Sequence, residues 1–166
     1  MGIYLCRYAR RNETTGAVNI VAASHKTQHQ LNWSDIEHMV NTIVRQIKTS
    51  NWQPDIIVAL SRGGFVPATM IAYKLGVKTL VGLDVKKNTS GVRSRGSVVS
   101  VDNLKGRKVL VVDDSIITGR LLDIVPTEIR TKGGEPRTCA LISEGKCPSP
   151  DYVVETRDVT PIMPWE

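Results

Sequence analysis

The chain has 166 residues and a net charge of +6, with 41% hydrophobic and 23% charged residues. That length supports one compact domain with a substantial core, and no apolar run approaches the ~20 residues of a membrane span. The three cysteines show no spacing typical of a disulfide framework or a zinc site, so we expect a cytoplasmic protein. At the N-terminus the apolar part precedes the basic part, the reverse of a secretory signal.

The first 30 residues predict a hairpin followed by a polar loop. Apolar-rich runs at 3–9 and 17–23 flank a turn rich in Asn, Thr and Gly. His25 and His29 lie four residues apart in the polar stretch that follows. Because that stretch has no helical pattern, we expect solvated histidines rather than a metal pair.

An amphipathic helix is predicted over 35–48, where apolar side chains repeat at helical spacing. Ser34 is its expected N-cap. Pro54 then breaks the chain, and the apolar run at 55–60 is typical of a buried strand.

The turn after this strand is Ser61-Arg62-Gly63-Gly64, followed by a helix at 66–75 that Gly76 ends. Two consecutive glycines let the backbone approach a ligand closely. Arg62 adds a permanent positive charge, so we interpret the turn as a candidate pyrophosphate site.

A basic segment follows, with a strand predicted at 78–85, a loop at 86–96 and a short strand at 97–101. Seven Lys or Arg residues lie between Asp84 and Lys108, against two Asp. Such a segment attracts a small polyanion or nucleic acid. Because no aromatic residues interleave the charges, we do not expect nucleic acid as the partner.

The most informative segment is VLVVDDSIITGR, at 109–120. A buried strand over 108–112 leads into Asp113 and Asp114, and a turn of small and hydroxyl-bearing residues follows. Carboxylate oxygens suit a divalent cation. Backbone N–H groups at the start of the next helix suit a phosphate.

The rest of the chain predicts a helix at 118–131, strands at 137–142 and 152–155, and an irregular tail. Strands that alternate with helices indicate an α/β fold with a doubly wound, mostly parallel sheet. Ligands bind such sheets at the carboxyl ends of the strands. We therefore expect the turns at Ser61 and Ser115 to share one cleft.

These motifs resemble the type I phosphoribosyltransferases, and among them the bacterial xanthine-guanine (purine) enzymes. The resemblance runs from about Leu31 to the end and includes IIVALSRGGFVPATMIAYKLG, VLVVDDSIITGR and the tail DYVVETRDVTPIMPWE. It implies a single domain over 1–166 with a small hood built from the chain ends. Residues 1–30 would be a hairpin extension, and 143–166 the hood and base-recognition tail.

The implied reaction is Mg²⁺-dependent transfer of phosphoribose from phosphoribosyl pyrophosphate (PRPP) to a nucleobase such as guanine, xanthine or hypoxanthine, releasing pyrophosphate. Asp113 and Asp114 would be catalytic, with Asp114 as the metal ligand. The base would contact Ile117, Pro161 and Ile162. The implied PRPP-binding residues are Arg62, Gly63, Gly64, Arg93, Arg95, Asp113, Asp114, Ser115, Ile116, Ile117, Thr118, Gly119 and Arg120. The resemblance also implies a homodimer or homotetramer, with no membrane partner.

The chain departs from the purine enzymes at the base site. Ile117 stands where they usually carry a third Asp, and it cannot accept a proton. A stacking aromatic is expected near Pro161 and a Lys near Ser143 or Glu144, and neither stands at those positions, which leaves Glu144 or Lys146 as a candidate contact to the base. Two alternatives therefore stay open: a non-catalytic PRPP sensor that regulates gene expression through nucleic acid, and a transferase for an unusual modified base.

Overall fold

The computed structural model describes residues 29–60, 62–83, 85–88, 91–94, 104–145 and 149–166. The predicted hairpin at 3–9 and 17–23, His25, Ser61, Arg95 and the strand at 97–101 lie outside these residues.

Within the described residues the chain forms three α-helices, a 3₁₀ turn and seven strands. The helices are α1 (Trp33–Thr49), α2 (Phe65–Leu75) and α3 (Arg120–Thr131), and the 3₁₀ turn spans Arg62–Gly64. The strands are β1 (Ile56–Leu60), β2 (Thr79–Leu83), β3 (Val85–Asn88), β4 (Gly91–Ser94), β5 (Lys108–Ile116), β6 (Glu135–Glu144) and β7 (Tyr152–Arg157).

Five strands form one parallel sheet in the order β2-β1-β5-β6-β7. From β1 the chain moves outward through α2 to β2. It then returns to the other side of β1 with β5 and continues outward through β6 and β7. The direction of winding therefore reverses between β1 and β5, which confirms the predicted doubly wound sheet. A crevice at the carboxyl ends of the strands is expected at this reversal.

The sheet has a buried core on each face. Alternate residues of β1 divide between the two cores, with Ile57 and Ala59 in one and Val58 and Leu60 in the other. The first core contains the buried side chains of α1 and α2, and the second contains Val125 of α3. Helices therefore cover both faces of the sheet and leave the two ends of its strands. We call the side on which the strands end the carboxyl edge, and the side on which they begin the amino edge.

The start of α1 differs from the prediction, because Asn32 rather than Ser34 is the N-cap. The Asn32 side chain accepts a hydrogen bond from the Asp35 backbone N–H (3.1 Å), and the Asp35 carboxylate accepts one from the Asn32 N–H (2.8 Å). This capping box satisfies two otherwise unpaired donors, so the helix begins earlier than its apolar repeat.

The direction of α1 places its N-terminus at the carboxyl edge of the sheet. Near its C-terminus, the Gln46 side chain donates to the Val153 carbonyl (2.9 Å), and Ser50 Oγ lies 2.8 Å from the Tyr152 hydroxyl. Tyr152 is the first residue of β7. The helix therefore runs antiparallel to the strands.

The loop predicted at 86–96 contains a hairpin instead. β3 and β4 pair antiparallel, with Val85 opposite Ser94 and Asn88 opposite Gly91. Pairing satisfies backbone N–H and C=O groups that a loop would leave to water, and it does not require an apolar core.

β5 is longer than the predicted 108–112 and carries both acids inside the strand. Its pairing with β6 continues past them, with Asp113 opposite Ala140 and Ile116 opposite Ser143. β6 is also longer than predicted, because each strand supplies the other's hydrogen-bond partners. Gly76 ends α2 as predicted, with φ 72°.

No helix among the described residues combines the length and the apolar composition needed to cross a membrane.

Candidate functional site

The turn after β1 lies directly against the Asp114 carboxylate. A Cβ atom built on Gly63 would lie 2.0 Å from Oδ2 of Asp114. A Cβ atom on Gly64 would lie 2.5 Å from the carbonyl oxygen of Val112. The two glycines therefore let the Arg62–Gly64 turn rest on β5, which brings two sequence-predicted parts of the site together at the reversal of winding.

The two carboxylates form an electrostatically unfavourable pair. The Asp113 surface is half-buried, but protein surrounds most of its carboxyl group. This desolvation raises the pKa of Asp113 well above its usual value, and the charge of Asp114 raises it further. The Asp114 N–H opposes the shift by donating to Asp113 Oδ1 (3.0 Å). Among the described residues no salt bridge reaches either acid, so the pair presents negative charge that suits a cation.

Cys139 lies behind this pair in the core. Burial raises the pKa of its thiol, and the charge of Asp113 adds to the shift. A thiol is nucleophilic only as thiolate, so Cys139 acts as a packing residue.

The segment after the acids turns towards α3 and exposes its loop. The Ser115 N–H donates to Asp114 Oδ1 at 2.7 Å, so this residue orients the carboxylate. Ile117 and Thr118 are exposed. Gly119 adopts a left-handed conformation, with φ 69°, immediately before α3. Because the first N–H groups of a helix have no intrahelical partners, the loop and helix start can accept a phosphate.

The donor set fits Mg²⁺ that arrives with a phosphorylated substrate. Among the described residues there is no cluster of three or more possible metal ligands. Mg²⁺ is commonly held by one or two carboxylates, with waters and substrate phosphates completing its shell. Asp113 and Asp114 supply such carboxylates.

The tail brings Pro161 and Ile162 to the segment that precedes α1. The Ile162 N–H donates to the His29 carbonyl (3.0 Å), and the Leu31 N–H donates to the Ile162 carbonyl (3.0 Å). Pro161 is buried and Ile162 half-buried. The structure therefore places the predicted base-binding residues of the tail at the carboxyl edge, where α1 begins.

One candidate residue was missed at the sequence level. The Thr160 hydroxyl donates to Oε1 of Glu144 at 3.0 Å, which ties the tail to the end of β6. The irregular tail has no periodicity, so no sequence pattern indicated this contact. Of the predicted arginines, Arg93 is a residue of β4.

A separate cavity of about 630 Å³ lies at the opposite edge of the sheet. Its lining comes from the C-terminal half of α1 and from residues 149–153, and it contains none of the predicted site residues.

Comparisons with known proteins show the family and the fold of this chain. The family model for the phosphoribosyl transferase domain matches residues 28–165. The purine phosphoribosyltransferase of Pyrococcus horikoshii superimposes with a TM-score of 0.76 at 26% identity, covering 83% of this chain and 93% of that one.

Curated relatives fall into two groups. The xanthine-guanine phosphoribosyltransferase of a Ruegeria species is 31% identical, over 43% of this chain and 46% of that protein. The transcriptional regulator GfcR of Thermoplasma acidophilum is 23% identical, over 64% of this chain and 52% of the regulator. The chain thus spans about half the length of these curated relatives.

Proposed function

This chain belongs to the phosphoribosyl transferase domain family, and we propose that it transfers the phosphoribosyl group of PRPP to a purine base and releases pyrophosphate. The observation that carries the proposal is the contact between the glycine turn after β1 and the Asp114 carboxylate. It brings the turn that we propose for pyrophosphate next to the acidic pair at the reversal of winding, where this fold class binds ligands. The similarity to a purine enzyme at 26% identity supports the choice of base.

The proposed roles follow the order of the elements along the crevice. Arg62, Gly63 and Gly64 hold the pyrophosphate group of PRPP. Asp113 and Asp114 accept hydrogen bonds from the ribose hydroxyls. The loop 115–120 holds the 5′-phosphate through its N–H groups and the Thr118 hydroxyl. Arg93 and Arg95 add positive charge towards the pyrophosphate.

Asp114 is the proposed Mg²⁺ ligand, and the ion when bound neutralises charge on the departing pyrophosphate. A base nitrogen forms the new bond to the anomeric carbon of ribose. The bond from that carbon to pyrophosphate breaks, and its electron pair leaves with pyrophosphate. The protein contributes mainly positioning and electrostatics. The proton of the attacking nitrogen passes to solvent water, because Ile117 cannot accept it.

The base is proposed to lie against Ile117, Pro161 and Ile162, whose apolar surfaces suit the face of a ring. We propose a cytoplasmic homodimer or homotetramer, on the basis of the family and of the cysteine usage.

The test is pyrophosphate release from PRPP and Mg²⁺, with guanine, xanthine, hypoxanthine, adenine, uracil and orotate offered separately. We expect release that depends on a purine and that stops when the metal is chelated. If none of the bases gives release and calorimetry shows no PRPP binding, the proposal is contradicted.

A second candidate is a PRPP-responsive regulator, because GfcR regulators are among the relatives. Ile117 in place of a titratable residue is compatible with lost catalysis. This alternative predicts PRPP binding without pyrophosphate release. It also predicts salt-dependent binding to nucleic acid that PRPP changes. A transferase for a modified base would instead release pyrophosphate only with such a base.

A further inference from the structure

Glu144 lies at the carboxyl edge of the sheet, one residue past the pairing of β5 with β6. Ser143 pairs with Ile116, so Glu144 lies next to the level of Ile117. Ala140 pairs with Asp113, and Glu144 is four residues further along β6, about 13 Å at the rise of a strand. Because residues an even number apart share a face, Glu144 and Asp113 lie on the same face of the sheet.

Only a neutral donor contacts the Glu144 carboxylate among the described residues. The Thr160 hydroxyl donates to Oε1 at 3.0 Å. Arg157 pairs with Glu144 in the backbone register, but its guanidinium binds the Glu155 carboxylate instead. Glu144 is half-buried and forms no salt bridge with any described residue. Its second oxygen therefore has no described partner.

An exposed apolar residue lies at the neighbouring position of the register. Ile117 is 53% exposed, so its side chain offers apolar surface to a ligand. A planar ring that covers Ile117 would present its edge towards the end of β6. The distance along the sheet from Asp113 to Glu144 is on the scale of a nucleoside.

We propose that Glu144 determines which nucleobase is used, by selecting a base that carries an exocyclic amino group on the edge away from the ribose. The inference rests on the proposed phosphoribosyl transfer and names its substrate class. A carboxylate only accepts hydrogen bonds. It therefore favours an N–H edge and disfavours an oxo edge, whose lone pairs would face its own. Thr160 is the positioning residue that orients the carboxylate.

Two pairs of bases differ at one such group. Adenine and hypoxanthine differ in a 6-amino or 6-oxo group, and guanine and xanthine in a 2-amino or 2-oxo group. We expect the amino member of at least one pair to have a kcat/KM about 10- to 100-fold higher, the range for a hydrogen bond to a charged group. The pair with the larger ratio identifies the edge that faces Glu144.

Substitutions at Glu144 should change this ratio in opposite ways. Glu144→Gln, which both donates and accepts, should bring the ratio close to one, and Glu144→Lys should reverse it. Thr160→Val, which removes the hydroxyl at nearly constant volume, should reduce the ratio part of the way. The matched control is Glu135→Gln, at the opposite end of the same strand, which should leave the ratio unchanged.

Binding of the product nucleotides gives a readout that does not need turnover. Calorimetry should show the same preference between adenosine and inosine monophosphates, or between guanosine and xanthosine monophosphates, and its loss in Glu144→Gln. Equal kcat/KM within both pairs in the unsubstituted protein, or a preference that survives Glu144→Lys, would overturn the inference and leave the proposed function standing. Absence of both PRPP binding and base-dependent release would overturn the two together.

Discussion

The polar side chains at the two edges of the sheet differ in how their charges are paired. At the amino edge the Trp52 indole donates to the Glu135 carboxylate (2.7 Å), and the Arg137 guanidinium packs 4.9 Å from the Trp52 ring centroid. Arg137 also donates to the Tyr152 hydroxyl at 2.6 Å. These contacts satisfy the polar groups and add cation–π stabilisation.

The carboxyl edge keeps like charges together instead. Burial and the neighbouring charge of Asp114 raise the pKa of Asp113, and Glu144 has a single neutral donor among the described residues. Ile117 adds exposed apolar surface. Such groups lower stability, and they cluster where a ligand supplies the missing partners. The contacts at the amino edge stabilise the domain, whereas the carboxyl edge is the proposed binding site.

The largest difference between the effects on activity and on stability is expected from Asp114→Asn at the carboxyl edge. Loss of the carboxylate should reduce pyrophosphate release by roughly 10²–10³-fold, the range for removal of one electrostatic contact in a reaction site. The amide oxygen can still accept the Ser115 N–H, and the repulsion of Asp113 is removed, so the melting temperature should rise. Unchanged Mg²⁺-dependent PRPP affinity would contradict the assignment of Asp114.

The next contrast uses two glycines. In Gly63→Ala the new methyl group would lie 2.0 Å from Asp114 Oδ2, so the carboxylate or the turn must move. We expect PRPP affinity to fall at least about tenfold, because small displacements of positioning groups have large effects. In the control Gly106→Ala the space is open but φ is +71°, so stability should fall by about 1–2 kcal/mol with PRPP affinity retained. Calorimetry and urea unfolding measure the two effects.

A substitution at the amino edge should lower stability and leave activity unchanged. The Asp151 carboxylate accepts hydrogen bonds from both the N–H (2.7 Å) and the hydroxyl (2.8 Å) of Thr138. Thr138 is 7% exposed, so Asp151→Ala leaves buried donors unsatisfied and should lower the free energy of unfolding by about 1–3 kcal/mol. Pyrophosphate release per folded molecule should not change. A loss of activity without a loss of stability would show that the edges are not separable in this way.

The smallest effect is a dependence of stability on pH, measured without Mg²⁺. The pKa of Asp113 is higher in the folded chain than its usual value of 3.8. The protonated Asp113 side chain therefore contributes fully to stability below pH 3.8, and this contribution is lost as the pH rises through the pKa of the folded chain. Asp113→Asn cannot ionise and should be more stable than the unsubstituted protein at neutral pH, with a gain that shrinks on acidification. A gain independent of pH in urea unfolding would refute this cause.

The sequence predicted the parallel sheet and the position of the cleft, because buried strands and glycine turns leave local patterns. It did not predict that Asp113 and Asp114 lie inside β5, since polar residues end an apolar run while ladder pairing with β6 continues through them. The hairpin of β3 and β4 was missed for the same reason.

Contacts between distant segments were outside the reach of local patterns. The Gly63–Asp114 contact joins the turn after β1 to a residue of β5, and its tightness follows from the pairing of β1 with β5. The bond from Thr160 to Glu144 joins an aperiodic tail to a strand end. The N-cap at Asn32 was missed because Ser34 is an equally good capping residue by type.

The pairing of Ile162 with His29 and Leu31 has a consequence for synthesis of the protein. Chains fold from the N-terminus as they are made, yet this contact joins the segment before the first helix to the tail. The strands β1 to β6 are therefore synthesised before the tail segment that pairs with the start of α1. A nascent chain would have its glycine turn and acidic pair before its tail pairs with the segment that precedes α1.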